Sequence, residues 1–256
     1  MNGRSDRLSA TLGSGAVFLA LLALWWAASH GGWISRVFLP TPEATAASLR
    51  EGLDGGELWS FTLATTLRML EGWLLASVLG VALGALIGVS ATARSYLQPT
   101  LEFIRPLPAS ALLPLAISIF GLDPNMVLFV IAFGAMWPVL LATRHGFAAV
   151  EPRLAEVSRC LQMSRPAFAW KVGLPNAMPD ILAGMRIGLT VSLILTVVGE
   201  MLGSRDGLGF AILLAARSFH SADLFAGVIL FGIIGYISGQ LMSLAERRLL
   251  RWRQRG

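Results

Sequence analysis

The residues of this chain best suited to chemistry are charged side chains that lie within long apolar stretches. Arg68 and Glu71 stand near the start of one stretch, and Arg186 and Glu200 stand within another. A charge placed inside a membrane costs about 2.5–3.5 kcal/mol on insertion scales, so each of the four is a candidate functional residue. Arg68 and Glu71 are three residues apart, on one helical face, and this spacing predicts an ion pair that anchors the helix at the membrane interface.

The second apolar stretch carries a set of candidates that begins with Arg186. Arg186 comes eight residues after Met178, where the stretch begins, or on the order of 12 Å along a helix. It is expected either to pair with another helix or to face an aqueous pathway and attract anionic substrates. Glu200 lies about 21 Å farther along, beyond the reach of Arg186, and belongs either to an outer gate or to the interface. Ser192 and Thr196 either line the pathway or bond back to carbonyl groups of their own helix.

The chain shows no arrangement typical of an enzyme or of a metal site. Its three histidines, His30, His145 and His220, are widely separated and have no carboxylate at metal-ligand spacing. A single cysteine, Cys160, excludes an intrachain disulfide framework. The only lysine, Lys171, does not belong to the GxxxxGK[ST] loop that binds nucleotide phosphates. We therefore expect no catalytic site, metal or cofactor, and any ATPase must be another chain.

The composition requires surroundings other than water. The 256 residues are 55% hydrophobic and only 14% charged, and the mean hydropathy is +0.68, whereas soluble domains carry about 25% charged residues. The net charge of +5 sits in short segments between apolar runs, which indicates membrane orientation rather than nucleic-acid binding. The predicted fold is all-α: a polytopic integral membrane protein with about six transmembrane helices and a cytoplasmic coupling helix.

Six apolar runs approach the roughly 20 residues needed to cross a bilayer. The first resembles a secretory signal peptide, but it is interpreted as an uncleaved span because further spans follow it. The third is short and contains Pro106, Pro108 and Pro114, so it is expected to be kinked or partly re-entrant. The predicted spans are 12–30, 62–90, 106–121, 126–143, 178–201 and 224–245.

The basic residues outside the spans predict the orientation. Cytoplasmic segments carry an excess of Lys and Arg, and a cytoplasmic N-terminus gives a strong excess on the inside. This places both termini in the cytoplasm. The inside residues are Arg4, Arg7, Arg94, Arg105, Arg144, Arg153, Arg159, Arg165, Lys171, Arg247, Arg248, Arg251, Arg253 and Arg255, and the outside ones are Arg36, Arg50, Arg205 and Arg217.

The cytoplasmic segment 144–178 is the most informative part of the chain. Connections of this length are uncommon in compact proteins unless they have a function. Pro152 suits the first turn of a helix, and Leu154, Val157 and Leu161 then fall on one face. The pattern predicts a short amphipathic helix outside the membrane, which can dock into a cleft on another protein.

This segment resembles the EAA loop of binding-protein-dependent ABC importer permeases, which reads Glu-Ala-Ala, three residues, Gly, nine residues, then Ile-x-Leu-Pro. The acidic residue, the leucine and the proline fall in register, and Val172 replaces the isoleucine. Gln162 stands where the motif has the glycine that ends the helix in a tight turn. The positions that the resemblance assigns to ATPase coupling are Glu156, Val157, Ser158, Leu161, Gln162 and Pro175.

The resemblance extends from about residue 60 to the tail. The segments 105–108, 113–116, 182–187 and 200–209 look like those of permeases for aliphatic sulfonates, taurine and nitrate. Importers of thiamine-precursor pyrimidines share the same frame. The resemblance therefore implies the transport of a small anionic or heterocyclic solute into the cytoplasm without fixing its identity.

The same resemblance implies an assembly in the bacterial inner membrane. Two permease copies, or a close heterodimer, would stand on two ATPase subunits, and a periplasmic or lipid-anchored solute-binding protein would deliver the substrate. The implied division is an N-terminal part (1–61), a permease core of five spans (62–245, with the EAA-like loop at 144–178) and a basic tail (246–256). Two alternatives remain at this point: an ion-coupled secondary transporter, against which the loop and the lack of internal repeats argue, and an integral membrane enzyme.

Overall fold

The computed structural model describes residues 5–32 and 34–251, and every regular element in these ranges is helical. This confirms the all-α prediction. Of the basic residues counted above, Arg4, Arg253 and Arg255 lie outside the described ranges. The α-helices are α1 (Ser5–His30), α2 (Pro42–Asp54), α3 (Leu58–Val89), α4 (Ala91–Ile104), α5 (Leu113–Phe120), α6 (Pro124–Ala148), α7 (Pro152–Cys160), α8 (Arg165–Phe168), α9 (Leu174–Gly203), α10 (Leu208–Arg217) and α11 (Ser221–Leu249).

Five of these helices, α1, α3, α6, α9 and α11, are long and apolar enough to cross a membrane. A sixth span is obtained only if α4 and the helical segment 109–120 count as one, and these two arms meet at an angle of 84°. The prediction that the prolines interrupt this region is confirmed. The predicted span 106–121 is wrong as a span by itself, because 12 helical residues reach about 18 Å and the hydrocarbon core is about 30 Å thick.

The break in this pair has a local cause. Pro106 and Pro108 provide no backbone N–H to continue the α-helical hydrogen bonds, and Pro108 itself is extended, with a ψ of 122°. The first arm, α4, was not predicted, because polar residues such as Gln98 and Glu102 lower its mean hydropathy. Hydropathy alone therefore located only half of this broken element.

The described chain divides into two compact units. The smaller contains residues up to 60 together with 211–230. Within it, the Trp25 indole N–H donates to the Pro40 carbonyl at 3.0 Å, and the Ser48 hydroxyl donates to Asp223 at 2.6 Å. The short segments that follow α1 are thus fixed to helical residues of the same unit.

The larger unit contains residues 61–210 and the chain from 231 onward, and within it α6 packs against both α3 and α9. Gly80 and Gly84 of α3 press against α6: a Cβ at Gly80 would lie 2.8 Å from the Met136 carbonyl oxygen, and one at Gly84 would lie 2.7 Å from that of Leu140. From α9, a Cβ at Gly184 would lie 2.8 Å from the Pro138 carbonyl oxygen. Such close approach lets dispersion contacts accumulate between helices in a membrane.

Candidate functional site

The segment with the EAA-like pattern forms α7, which begins at Pro152 as predicted. Pro152 has no N–H to lose at the first turn, and its fixed φ suits a helix start. The Ser158 side chain is buried, and its hydroxyl donates to the Ala155 carbonyl at 2.8 Å. The helix therefore has an inner side, which carries Ser158, and an outer side.

The outer side of α7 is apolar and uncovered by any described residue. Leu154, Val157 and Leu161 are all exposed, with Val157 at 54% and Leu161 at 68% of their full surface. Glu156 is exposed beside them. A contiguous exposed apolar face outside a membrane span typically marks a surface that a partner covers.

The end of α7 is a Schellman motif centred on Gln162. Its φ is +49°, in the left-handed region that favours glycine. The Gln162 N–H donates to the Arg159 carbonyl at 2.9 Å, and the Met163 N–H donates to the Ser158 carbonyl at 3.0 Å, which are the two bonds of that motif. Gln162 thus adopts the turn that glycine makes in the EAA pattern, at a cost of roughly 1–2 kcal/mol for a side chain in this conformation.

A continuous helical run connects this loop to the long helix α9. It comprises α8, a π-helical turn over Ala169–Gly173, and α9. Pro175 directly follows the start of α9, and its ring is incompatible with a regular α-helical bond to the carbonyl four residues earlier. The wider π turn is the local response, and such turns often occur at functional positions.

The run is anchored to the end of α6. The Asn176 side-chain N–H donates to the Gly146 carbonyl at 3.0 Å, and a Cβ on Gly173 would lie 2.3 Å from the Phe147 ring. The segment that follows the loop is therefore attached to α6 as well as continuous with α9.

A cluster of buried ionic groups lies at the opposite end of α9. Glu200 has no exposed surface and is ion-paired with Arg68 of α3. The Thr65 hydroxyl lies 2.9 and 3.0 Å from the two Glu200 carboxylate oxygens, and the Gly209 N–H at the start of α10 donates to Oε2 at 3.0 Å. The helix N-terminus and the guanidinium group together offset the charge of the carboxylate.

The loop after α9 closes over this carboxylate. Gly207 has a φ of +96°, and a Cβ there would lie 2.4 Å from the Glu200 carboxyl carbon, so only glycine fits. Arg68 Nη2 donates to Asp206 Oδ1 at 2.8 Å. The hydrogen bond from the Ser204 hydroxyl, followed by those from Arg68, lowers the pKa of Asp206. The cluster thus joins α3, α9 and the start of α10.

These contacts correct one prediction. The expected ion pair between Arg68 and Glu71 is wrong: Arg68 turns to Glu200 and Asp206 instead, while Glu71 is exposed. Water screens an ion pair with the buried carboxylate of Glu200 less than it would screen one with the exposed Glu71. Sequence reasoning missed Thr65 and Asp206, although the glycines that follow Glu200 were a signal that the chain approaches it closely.

The remaining candidates lie along α9. Arg186 is ion-paired with Glu246 of α11 and donates to the Ser243 hydroxyl oxygen at 3.2 Å, which confirms pairing with another helix. Ser192 donates to Gly188 at 2.9 Å, and Thr196 donates to the Ser192 carbonyl at 2.7 Å. Their predicted back-bonding is confirmed.

A metal site finds no support in the described residues. No group of three or more His, Cys, Asp or Glu side chains within residues 5–32 and 34–251 comes close enough together to hold an ion.

Several known proteins are similar to this chain through most of their length. A Bacillus subtilis (strain 168) protein named as a permease for aliphatic sulfonates transport, SsuC, is 35% identical over 233 residues, covering 91% of this chain and 84% of that protein. The taurine transport system permease protein TauC of Escherichia coli (strain K12) is 30% identical over 253 residues, covering 97% and 91%. The bicarbonate transport system permease protein CmpB of Synechococcus elongatus is 31% identical over 203 residues, covering 79% and 73%.

The fold is shared with a solved ABC transporter. A chain of the inward-facing MetNI methionine ABC transporter matches with a TM-score of 0.62 and 20% identity, covering 76% of this chain and 94% of that one. The profile described as "Binding-protein-dependent transport system inner membrane component" matches residues 76–252. Because this match covers more than half of the chain, the protein belongs to the family of binding-protein-dependent transport system inner membrane components.

Proposed function

We propose that this permease subunit of an ABC importer receives its driving force at α7, where a separate ATPase subunit docks. The observation that carries the proposal is the exposed apolar face of Leu154, Val157 and Leu161, with Glu156 at its edge. An amphipathic helix with such a face typically binds in a groove of a partner protein. Ser158 faces inward, Gln162 ends the helix, and Pro175 shapes its connection to α9.

The continuous run from α8 through α9 transmits the movement. Closure of the ATPase subunits shifts α7, and the anchored run carries that shift along α9 towards the Glu200 cluster. A partner can drive a conformational change only if it binds the two states with different affinity. Docking at α7 supplies that difference, because the helix lies outside the spans and moves with the ATPase.

The proposed substrate is a small solute with an anionic group. Sulfonates, taurine and bicarbonate, which the names of the relatives mention, share this feature, and nitrate also fits it, whereas pyrimidines represent the heterocyclic alternative. Of the predicted pathway residues Arg186, Ser192, Thr196 and Glu200, we propose only Arg186 for the pathway, because the other three have no exposed surface. Arg186 is the most accessible of them, since 47% of its side chain is exposed. Its pairing with Glu246 neutralises its charge, so most of the selectivity would reside in the solute-binding protein.

The proposed assembly contains two copies of this permease, two ATPase subunits and a periplasmic or lipid-anchored solute-binding protein. The chain is a multi-pass protein of the inner-membrane component family. Both termini and α7 would face the cytoplasm, as the distribution of arginine indicates.

A charge reversal tests the docking role. Glu156→Lys is expected to abolish substrate uptake and substrate-stimulated ATP hydrolysis in the reconstituted complex, because it places a cation against the docking groove, while the amount of permease in the membrane stays unchanged. The matched control is Glu151→Lys, the same charge change on an exposed residue that makes no side-chain cap at the start of α7. Normal uptake by Glu156→Lys, or equal loss in both variants, would overturn the assignment of this face.

An energy-source measurement separates this function from ion-coupled transport. Uptake by the complete complex is expected to continue when an ionophore collapses the ion gradients and to stop when ATP is depleted. The reverse result would identify a secondary transporter.

A further inference from the structure

A cavity near the end of α3 has features that the coupling mechanism does not use. It lies among α3, α4 and α6 in the larger unit as a partly open recess whose enclosed volume is only about 30 Å³, so a ligand would lie at its mouth rather than inside it. Both apolar and polar side chains line it. The apolar residues are Ile87, Leu101, Leu140 and Leu141, and the polar ones are Gln98, Glu102, Arg105, Arg144 and Trp137.

Two arginines of this cavity have no acceptor among the described residues. Arg105 and Arg144 form no ion pair or hydrogen bond within residues 5–32 and 34–251, whereas Arg68, Arg94 and Arg186 all do. The indole N–H of Trp137, a residue that is 92% buried, likewise has no acceptor in the described part of the chain. Arg105 is exposed and Arg144 is half-buried, so a ligand can reach both guanidinium groups from the surface.

One carboxylate accompanies these donors. Glu102 lines the same cavity, and its Oε1 accepts a hydrogen bond from the Gln98 side chain at 2.6 Å. The site thus offers two guanidinium groups to an anion and one carboxylate to a cation. A ligand with a phosphate and a nearby ammonium group matches this set, because guanidinium groups pair with phosphate oxygens in a bidentate manner.

The surroundings identify the source of that ligand. The cavity opens beside α4, whose Tyr96 and Phe103 are strongly exposed, and Leu141 of its own wall is partly exposed as well. Ile87 and Arg144 lie close to the ends of spanning helices, the level at which phospholipid headgroups are found. A soluble phosphate compound has no apolar part to contact the apolar walls and the exposed apolar rim, whereas the acyl chains of a lipid would lie against them.

The geometry points to a binding site for the headgroup of an aminophospholipid, with the phosphate at Arg105 and Arg144 and the ammonium group at Glu102. Basic pockets between transmembrane helices are a known setting for lipid headgroups. The site is separate from the face of α7 that docks the ATPase, so it can be tested without the complete transporter.

Native mass spectrometry of the purified full-length permease with phosphatidylethanolamine and phosphatidylglycerol tests the site. We expect one tightly held phosphatidylethanolamine per subunit and a loss of affinity of at least about tenfold in the double variant Arg105→Gln/Arg144→Gln, since the loss of even one charge-assisted bond costs about 1.4 kcal/mol or more. The matched control is Arg247→Gln/Arg248→Gln, which removes two exposed arginines at the end of α11 and should retain the lipid. Retention of the lipid by the first double variant would overturn the proposal.

Two further measurements show whether a loss of binding is caused by misfolding and whether the ligand is a lipid or a soluble phosphate compound. Glu102→Gln keeps both arginines and should shift the preference from phosphatidylethanolamine towards phosphatidylglycerol; an unchanged preference would contradict the role of Glu102. Soluble phosphoethanolamine at millimolar concentration should neither displace the lipid nor raise the Tm of the delipidated protein. If it does both, the site binds a soluble phosphate compound and the lipid proposal fails.

Discussion

At the scale of single residues, Gln162 shows how a sequence can keep the geometry of a motif without its preferred residue. Two backbone hydrogen bonds close the end of α7 around a left-handed residue, although a side chain there is unfavourable. The position of the turn followed from the spacing of the EAA pattern. The conformation of Gln162 did not follow from its type, because glutamine rarely adopts a positive φ.

Gln162→Gly should therefore stabilise the end of α7. Glycine removes a cost of roughly 1–2 kcal/mol and loses about 0.5–1 kcal/mol through its greater freedom in the unfolded chain, so a net gain of about 0.5–1 kcal/mol is expected. Hydrogen exchange of the Met163 amide, whose bond closes the turn, should slow by roughly two- to fivefold.

The control for this substitution is Gln162→Ala, which shortens the side chain but retains a Cβ in the left-handed region. It should leave the exchange rate of the Met163 amide close to that of the wild type. Equal protection of the Met163 amide in the glycine and alanine variants would show that backbone strain at residue 162 does not determine the stability of the turn.

At the scale of elements, the spanning helices were predictable and their polar contacts were not. Long apolar runs located α3, α6, α9 and α11, because lipid imposes a minimum length on any helix that crosses it. The partners of Arg68 escaped prediction because Glu200 lies 132 residues away and only the packing of α3 against α9 brings them together. The spacing of residues along one helix cannot predict an ion pair with a residue of another helix.

The Glu200 cluster predicts strong coupling between α3 and α9. Removing one member of a buried pair leaves a charge without compensation and typically costs about 3–5 kcal/mol, whereas replacing both members with apolar residues is often nearly neutral. Arg68→Met and Glu200→Leu should each lower the Tm of the purified permease markedly, and the double variant should be more stable than either single variant. Additive losses in this double-mutant cycle would show that the pair contributes no specific coupling.

Asp206 is the matched control in this cluster, because it binds the same arginine from a half-exposed position. Asp206→Asn should cost no more than about 1 kcal/mol, as is usual for solvated pairs. Since the fold lowers the pKa of Asp206, its contribution is present above its ordinary pKa of about 4 and is lost as the pH falls through the lowered value. The variant should therefore differ least from the wild type in acid.

At the scale of the whole molecule, the proposed function depends on the two ends of α9. One end continues through the π turn and α8 towards the exposed face of α7, and the other carries the buried carboxylate that holds α3 and the start of α10. Composition and charge distribution predicted a membrane protein and its orientation. They could not predict that one continuous helical run connects these ends, because the π turn at Ala169–Gly173 depends on Pro175 and on packing against α6.

The only cysteine of the chain provides a direct test of orientation and docking together. Cys160 is exposed in the last turn of α7, four residues after Glu156 and therefore on the same side of the helix. A membrane-impermeant maleimide should label it in inside-out vesicles and leave it unlabelled in right-side-out vesicles, because α7 faces the cytoplasm in the proposed orientation. Adding the ATPase subunit should then reduce labelling in wild-type vesicles but not in those that carry Glu156→Lys. Labelling in right-side-out vesicles would contradict the proposed topology. Labelling that the ATPase subunit does not reduce would show that α7 is not the docking surface, even if the topology is correct.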